Sequence, residues 1–196
     1  MVSTIDYYNK YAEKYYENTV KVDMTFIYQE FLAYVKEGGH ILDLGCGSGR
    51  DSLYFLNYNY QVTAIDGSKE LVRLSSQLLG QEVLHIKFSE VEFTSEFDGI
   101  WACASLLHVS KEKIESVLSR LAIALVKNGI MYISFKYGDQ EIKRDDGRLF
   151  NYYDGNSFLK LKKKIKRLEI IKRWKTIDAR KDKKDEYWFN VLLKKV

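Results

Sequence analysis

ILDLGCGSGRDS, residues 41–52, sets the reading of the whole chain. An apolar run broken by one acid, Asp43, leads into three glycines that alternate with other residues, and a helix-compatible segment follows. His40 to Leu44 reads as a short strand and Arg50 to about Asn57 as a helix. A glycine loop between a strand and a helix lets a ligand come close to the backbone. In an open α/β sheet that loop lies at the carboxyl end of its strand, where such sheets bind ligands.

Outward from this loop the chain alternates helices and strands. Before it, Ser3 or Thr4 caps a first helix to about Glu17, and Asp23 caps a second that stops at Gly38-Gly39. After it come the strand QVTAID (61–66), a helix capped by Ser68, the strands VLHIKF (83–88) and FDGIWACA (97–104), a long helix capped by Ser110, and the strand GIMYISFKY (129–137). Residues 138–153 read as irregular and polar. A helix over about 156–164 precedes the strands 167–177 and 187–196, which the charged loop DARKDKKDE joins as an antiparallel hairpin. The expected fold is α/β: a Rossmann-like, seven-stranded, mostly parallel sheet with helices on both faces and that hairpin at one edge. One domain over 1–196 is expected, with a helical cap (1–39), a ligand-binding core (40–137) and a substrate-side loop, helix and hairpin (138–196).

The 196 residues carry a net charge of +4, unevenly placed. Residues 151–196 hold 15 basic and 6 acidic side chains, whereas residues 1–150 hold 16 and 21. The basic region is compatible with nucleic acid, but a solvated helix face and exposed strand ends explain it more simply. No apolar run is long enough to span a membrane, and the start has no secretory pattern. A cytoplasmic protein is expected. Cys46 and Cys103 fit no metal-binding spacing, so no metal is expected.

Three ligand classes compete for the loop. A triphosphate loop would need a lysine after its last glycine, where Arg50-Asp51 stands. A dinucleotide fingerprint would need its third glycine at position 50. Asp43 and Asp51 also flank the loop with negative charge, which suits a cationic ligand better than a pyrophosphate. Asp66 ends the second strand 21 residues after Gly45, and an acid there can accept hydrogen bonds from both hydroxyls of a ribose. The expected ligand is a nucleoside joined to something positive. Taken singly, Asp43 could cap a turn and Asp66 the next helix; together with the glycine loop the ligand reading is preferred.

ILDLGCGSG followed by VTAID resembles the class I S-adenosylmethionine-dependent methyltransferases, and the resemblance extends through FDGIWACASLLHV to GIMYISFKYG. GSGRDS, WACASLLHV and the FKYG…DGRLF pair look most like the small bacterial tellurite-resistance-type and related small-molecule methyltransferases. The resemblance implies S-adenosylmethionine as cofactor. It places Gly45, Cys46 and Gly47 against the cofactor, Asp43 behind them near the methionyl ammonium, Asp66 on the ribose, and Gly67 and Ser68 beside the adenine. It also places Phe88 and Ser89 at the adenine edge and the carbonyls of Ala102 and Cys103 near the ammonium. Tyr11 and Tyr16 are expected to close over the site, although tyrosines 8, 11 and 15 also fit core packing.

Methyl transfer from a sulfonium needs an in-line nucleophile, and a base only where that nucleophile carries a proton of high pKa. His108 is the candidate base, or else it orients the Ser110 cap. Lys136, Tyr137, Arg148 and Arg180 lie at strand ends and loops. If they converge, the acceptor is acidic or an oxyanion. A small-molecule methyl acceptor is expected. RNA or protein methylation, cofactor binding without catalysis, and aminopropyl transfer remain alternatives. The edge hairpin leaves monomer and homodimer both open.

Overall fold

The computed structural model describes residues 3–180 and 182–196. Its elements run α1 (Thr4–Lys10), α2 (Ala12–Thr19), α3 (Thr25–Leu32), β1 (His40–Leu44), α4 (Arg50–Asn57), β2 (Gln61–Asp66), α5 (Lys69–Leu79), β3 (Leu84–His85), β4 (Phe97–Ala102), α6 (Ile114–Ala124), β5 (Leu125–Tyr137), β6 (Glu141–Lys143), β7 (Leu149–Tyr153), α7 (Gly155–Lys162), β8 (Leu168–Ile177) and β9 (Tyr187–Lys195).

Strands β3, β2, β1, β4 and β5 lie side by side in parallel, β9 pairs antiparallel with β5, and β8 antiparallel with β9. The expected sheet and its hairpin edge are therefore present. Two further strands are not in the expected reading. Residues 138–153 form a β6–β7 hairpin rather than an irregular stretch, and β7 adds to β5 through Lys136–Tyr152 and Tyr137–Tyr153. The segment is polar because β6 is exposed along its length, so its alternation carries no apolar signal.

The parallel strands sort their side chains by period two, as a sheet covered on both faces must. Leu42, Leu44, Ile100, Ala102, Met131, Ile133, Val191 and Leu193 pack on one face with Leu118 and Leu121 of α6 and Phe158 of α7. Ile41, Trp101, Ile130, Tyr132 and Leu192 pack on the other with Tyr28 and Phe31 of α3 and Phe55 of α4.

Several boundaries differ from the sequence reading. The first helix is broken at Tyr11, whose backbone (φ −116°, ψ 24°) leaves the helical region. Helix α3 ends at Leu32, before the glycines, and Asp23 holds its start by accepting from the Thr25 amide at 2.9 Å. The third strand shrinks to two residues and passes into a short 3₁₀ turn at Phe88–Glu90. Ser110 starts the turn before α6 through its backbone carbonyl and not as a side-chain cap. Ser68 and Ser3 are side-chain caps, accepting from the Leu71 and Asp6 amides.

Candidate active site

The glycine loop turns at the end of β1 because the amides of Gly45 and Cys46 both donate to the Ile65 carbonyl, at 2.9 and 3.0 Å. This fastens it to the end of β2. Gly45, Gly47 and Gly49 all have positive φ, at 76°, 57° and 79°. A Cβ on Gly45 would lie 2.7 Å from the Ser105 Cβ, and one on Gly47 3.0 Å from the Tyr15 ring. Gly49 sits against Ser75 of α5, so it performs the close packing that a dinucleotide loop assigns to position 50.

Asp66 is buried. Its carboxylate accepts from the Gly47 amide at 2.9 Å and the Ser68 amide at 2.8 Å. Burial raises its pKa, against the pull of these amides. Each oxygen keeps further lone pairs, so two hydroxyl donors can still be accepted. Asp66 lines a cavity of about 320 Å³ together with Gly45, Gly47, Gly67, Ser68, Phe88 and Ser105. The Ser105 hydroxyl is buried with no hydrogen-bond partner. A glycine cradle, an acid with spare lone pairs, an aromatic wall and an unpaired hydroxyl fit the adenosyl part of the implied cofactor.

Two acids behind the loop behave differently. Asp43 is 2% exposed and accepts from the Ser52 hydroxyl at 2.6 Å. Burial, then the neighbouring Asp51, push its pKa up to about 8. Asp51 is held ionised: although burial opposes it, Arg50 donates to both oxygens at 2.6 and 3.0 Å. Tyr28 and Trp101 donate to the same carboxylate at 2.5 and 2.8 Å. Asp51 is thus spent on an internal ion pair, which corrects its reading as a free charge beside the loop.

A second cavity, of about 570 Å³, opens beside the first. Tyr8, Tyr15, Gly45, Ala104 and His108 line both. Ala104 holds a positive φ of 51°, unusual for alanine, and its amide donates to Ser134 Oγ at 2.8 Å. Cys103 lines the larger cavity, whereas Ala102 is buried in β4 and lines neither. Burial pushes the Cys103 and Cys46 thiols up, so neither is a ready nucleophile.

The candidate substrate residues divide. Lys136, Arg148 and Arg180 all line the larger cavity, but none is a free cation. Lys136 pairs with Glu186 and with Asp178 at 3.4 Å, and lies over the Trp188 ring. Arg148 is held by Asp146 through Nε and Nη2 at 3.1 and 2.6 Å, and Arg180 by Asp178 at 2.9 and 2.7 Å. Tyr137 is exposed, stacks under the Lys175 ammonium and lines neither cavity. It alternates out of the sheet face that Lys136 occupies.

Ser89 is exposed on the 3₁₀ turn and lines neither cavity, so only Phe88 of that pair meets the smaller one. Tyr11 lines the larger cavity, but Tyr16 lines neither. The break at Tyr11 rotates α2 so that Tyr8 and Tyr15 face inward, their rings 5.1 Å apart edge to face. Sequence spacing places Tyr8, Tyr11 and Tyr15 on one unbroken helical stripe and cannot show that turn. His108 does not orient Ser110. It meets the Tyr8 hydroxyl through Nε2 at 2.8 Å and the Leu149 carbonyl through Nδ1 at 2.6 Å.

Residues 41–129 match a model of a methyltransferase domain. An uncharacterized methyltransferase of Staphylococcus carnosus is 23% identical over 124 residues, 63% of this chain and 58% of that protein. A Haemophilus influenzae protein named "Probable S-adenosyl-L-methionine-dependent methyltransferase TehB" is 26% identical over 125 residues, 60% of this chain and 43% of that one. The matched segments thus span about half the length of these curated relatives. The crystal structure of Burkholderia thailandensis 1,6-didemethyltoxoflavin-N1-methyltransferase, with bound 1,6-didemethyltoxoflavin and S-adenosylhomocysteine, superposes with a TM-score of 0.78 at 20% identity. The superposition covers 95% of this chain and 86% of that one. In sequence, residues 41–129 match a methyltransferase domain, and in fold nearly the whole chain is similar to that solved methyltransferase.

Proposed function

We propose that this chain transfers the methyl group of S-adenosylmethionine to a small anionic acceptor. The observation that carries the reading is the junction of the two cavities at Tyr8, Tyr15, Gly45, Ala104 and His108. A nucleoside held by Asp66 in the smaller cavity directs the rest of the cofactor toward that junction. An acceptor in the larger cavity meets it there. The Burkholderia neighbour, with bound 1,6-didemethyltoxoflavin and S-adenosylhomocysteine, supports a small acceptor by analogy of fold.

When bound, the cofactor supplies an activated methyl carbon and a neutral leaving group. The chain's own part is to bind, orient and exclude water. Holding two reactants in line supplies at most roughly 7–11 kcal/mol of barrier reduction. The Ile65 carbonyl and the Asp66 carboxylate hold the glycine loop through its amides.

An anionic acceptor is favoured by charge. Seven basic and four acidic side chains line the larger cavity among the described residues. Arg148 and Arg180 each spend Nε and Nη2 on an aspartate two residues before them, which fixes each guanidinium and leaves its other N–H groups for a ligand. The RNA alternative gains little from the basic C-terminal region. On β8, Lys172 pairs with Glu30, Arg173 donates to the Gly155 carbonyl, and Lys175 lies over two tyrosine rings.

Thermal unfolding with S-adenosylmethionine and S-adenosylhomocysteine, against NAD and ATP, tests the cofactor assignment. At 100 times its dissociation constant a ligand adds about 2.7 kcal/mol of stability. The two adenosyl compounds should shift the wild type, and the shift should shrink in Asp66→Ala. A shift with NAD instead would overturn the reading. Binding without release of S-adenosylhomocysteine in the presence of acidic acceptors would point to a non-catalytic binding module. Replacing Arg148 or Lys136 by Ala should weaken turnover of the true acceptor; unchanged turnover in both would remove the anionic part of the reading.

A further inference from the structure

We propose that Tyr8 and His108 form a proton-accepting pair at the junction of the two cavities, and that the acceptor atom therefore carries a proton, as a hydroxyl or N–H does. This rests on the methyltransferase reading above and narrows its substrate class.

The tautomer of His108 follows from its partners. The Leu149 carbonyl can only accept a hydrogen bond, so Nδ1, 2.6 Å away, carries the ring proton. A neutral imidazole then has a bare Nε2, and the Tyr8 hydroxyl at 2.8 Å donates to it. Burial, then the Arg148 and Arg144 charges, keep the ring neutral and lower its pKa to about 4, with Leu149 opposing. The groups facing the pair are Arg144, Asp146 and Arg148 from the β6–β7 hairpin, Asp66 from β2, and Tyr7 and Tyr15 from the N-terminal helices. The Tyr8 phenol is itself pushed up to about 12, chiefly by burial. It is a proton conduit and not a phenolate.

The acceptor's hydroxyl or N–H proton passes to the Tyr8 oxygen while the Tyr8 proton passes to Nε2 of His108. The acceptor atom bonds to the methyl carbon, the carbon–sulfur bond breaks, and its electron pair goes to sulfur. One positive charge leaves the sulfur as one appears on the imidazole, so the cavity's total charge is unchanged. His108 is already neutral before transfer, and loss of the cofactor's positive charge raises the basicity of Nε2 as transfer proceeds. A thioether or tertiary amine needs no such pair, because it releases no proton.

Two measurements on the full chain test this. Nitrogen-15 spectra of the histidine rings, taken with S-adenosylhomocysteine bound, should show His108 neutral at pH 7 with its proton on Nδ1, and a changed Nε2 signal in Tyr8→Phe. A proton on Nε2, or a charged ring at pH 7, would overturn the proposal without any acceptor being known. The second measurement is methylation of 4-hydroxybenzoate against 4-(methylthio)benzoate. The phenol should be methylated and the sulfide not. His108→Asn keeps an amide donor at the δ position for Leu149 but loses the base. It and Tyr8→Phe should lower phenol methylation by about 10²–10⁴-fold, with the loss recovering as pH rises and the phenol ionises unaided. An equal loss at every pH, or methylation of the sulfide by the wild type, would overturn it. Failure of the methyltransferase reading is distinct, because the thermal shift with S-adenosylhomocysteine would then be absent.

Discussion

Gly47 shows how much one residue of the loop carries. It sits in the left-handed region, donates its amide to Asp66 and lies under the Tyr15 ring. Gly47→Ala should cost about 1–2 kcal/mol from its backbone alone. It should also displace Tyr15 and reduce the affinity for S-adenosylhomocysteine. Calorimetric titration of wild type and variant checks this, and equal affinities would remove Gly47 from the cofactor wall. His108 gives a residue-scale pH prediction. Its folded pKa of about 4 lies below the usual value of 6.5, so the unfolded chain takes up a proton there while the native chain does not. Its contribution to stability is therefore present above pH 6.5 and is lost as pH falls toward 4. Urea midpoints across that interval should fall for the wild type and fall less steeply for His108→Asn.

Among the elements, the β6–β7 hairpin has the largest effect on the site. It brings Arg148 3.9 Å above the Tyr7 ring, sets the Leu149 carbonyl on His108 and donates the Leu149 amide to Thr4 Oγ1 at 3.1 Å. The hairpin and α1 are thereby one wall of the larger cavity. Thr4→Val keeps the shape and removes the acceptor, at a cost of about 1 kcal/mol. Faster amide hydrogen exchange is expected through α1 and at Leu149, with the central strands unchanged. No change in α1 would mean that the wall is held by packing alone. None of this was visible in 138–153 as a sequence. Strand β6, exposed on both faces, has no apolar alternation to betray it, and the pairing of β7 with β5 is a contact between separate segments.

At the scale of the molecule, the site rests on the core beneath it. Trp101 lies in the middle of β4, stacks on Tyr132 with ring centroids 4.2 Å apart and donates to Asp51 at 2.8 Å. It is fully buried, so Trp101→Ala should cost roughly 3–5 kcal/mol, a large part of a total stability of about 5–15 kcal/mol. Asp51 and Arg50 keep each other charged in that core. Removing one alone, as in Asp51→Ala, should also cost about 3–5 kcal/mol, because the other charge is left buried. Chemical denaturation measures both, and a loss below about 1 kcal/mol at either position would contradict this account. No helix among the described residues is long and apolar enough to cross a membrane.

The strands of the core and their mostly parallel sheet, the glycine loop and the strand-end acid were all legible in the sequence. Each depends on short-range chemistry: period-two apolar runs, glycine at positive φ, and a carboxylate at a fixed spacing from the loop. Much of the lining of the smaller cavity follows from these, as Gly45, Gly47, Asp66 and Phe88 show. The lining of the larger cavity did not follow. Tyr8, Tyr15, Ser105 and Arg144 face the cavities, while Ser89, Tyr16 and Tyr137 do not. Those differences come from a helix break at Tyr11, a shortened third strand and a hairpin paired to β5. The tertiary structure alone decided which side chains converge, because convergence here joins Tyr8, His108 and Leu149 across up to 141 positions of chain, whereas sequence pattern reports only on neighbours.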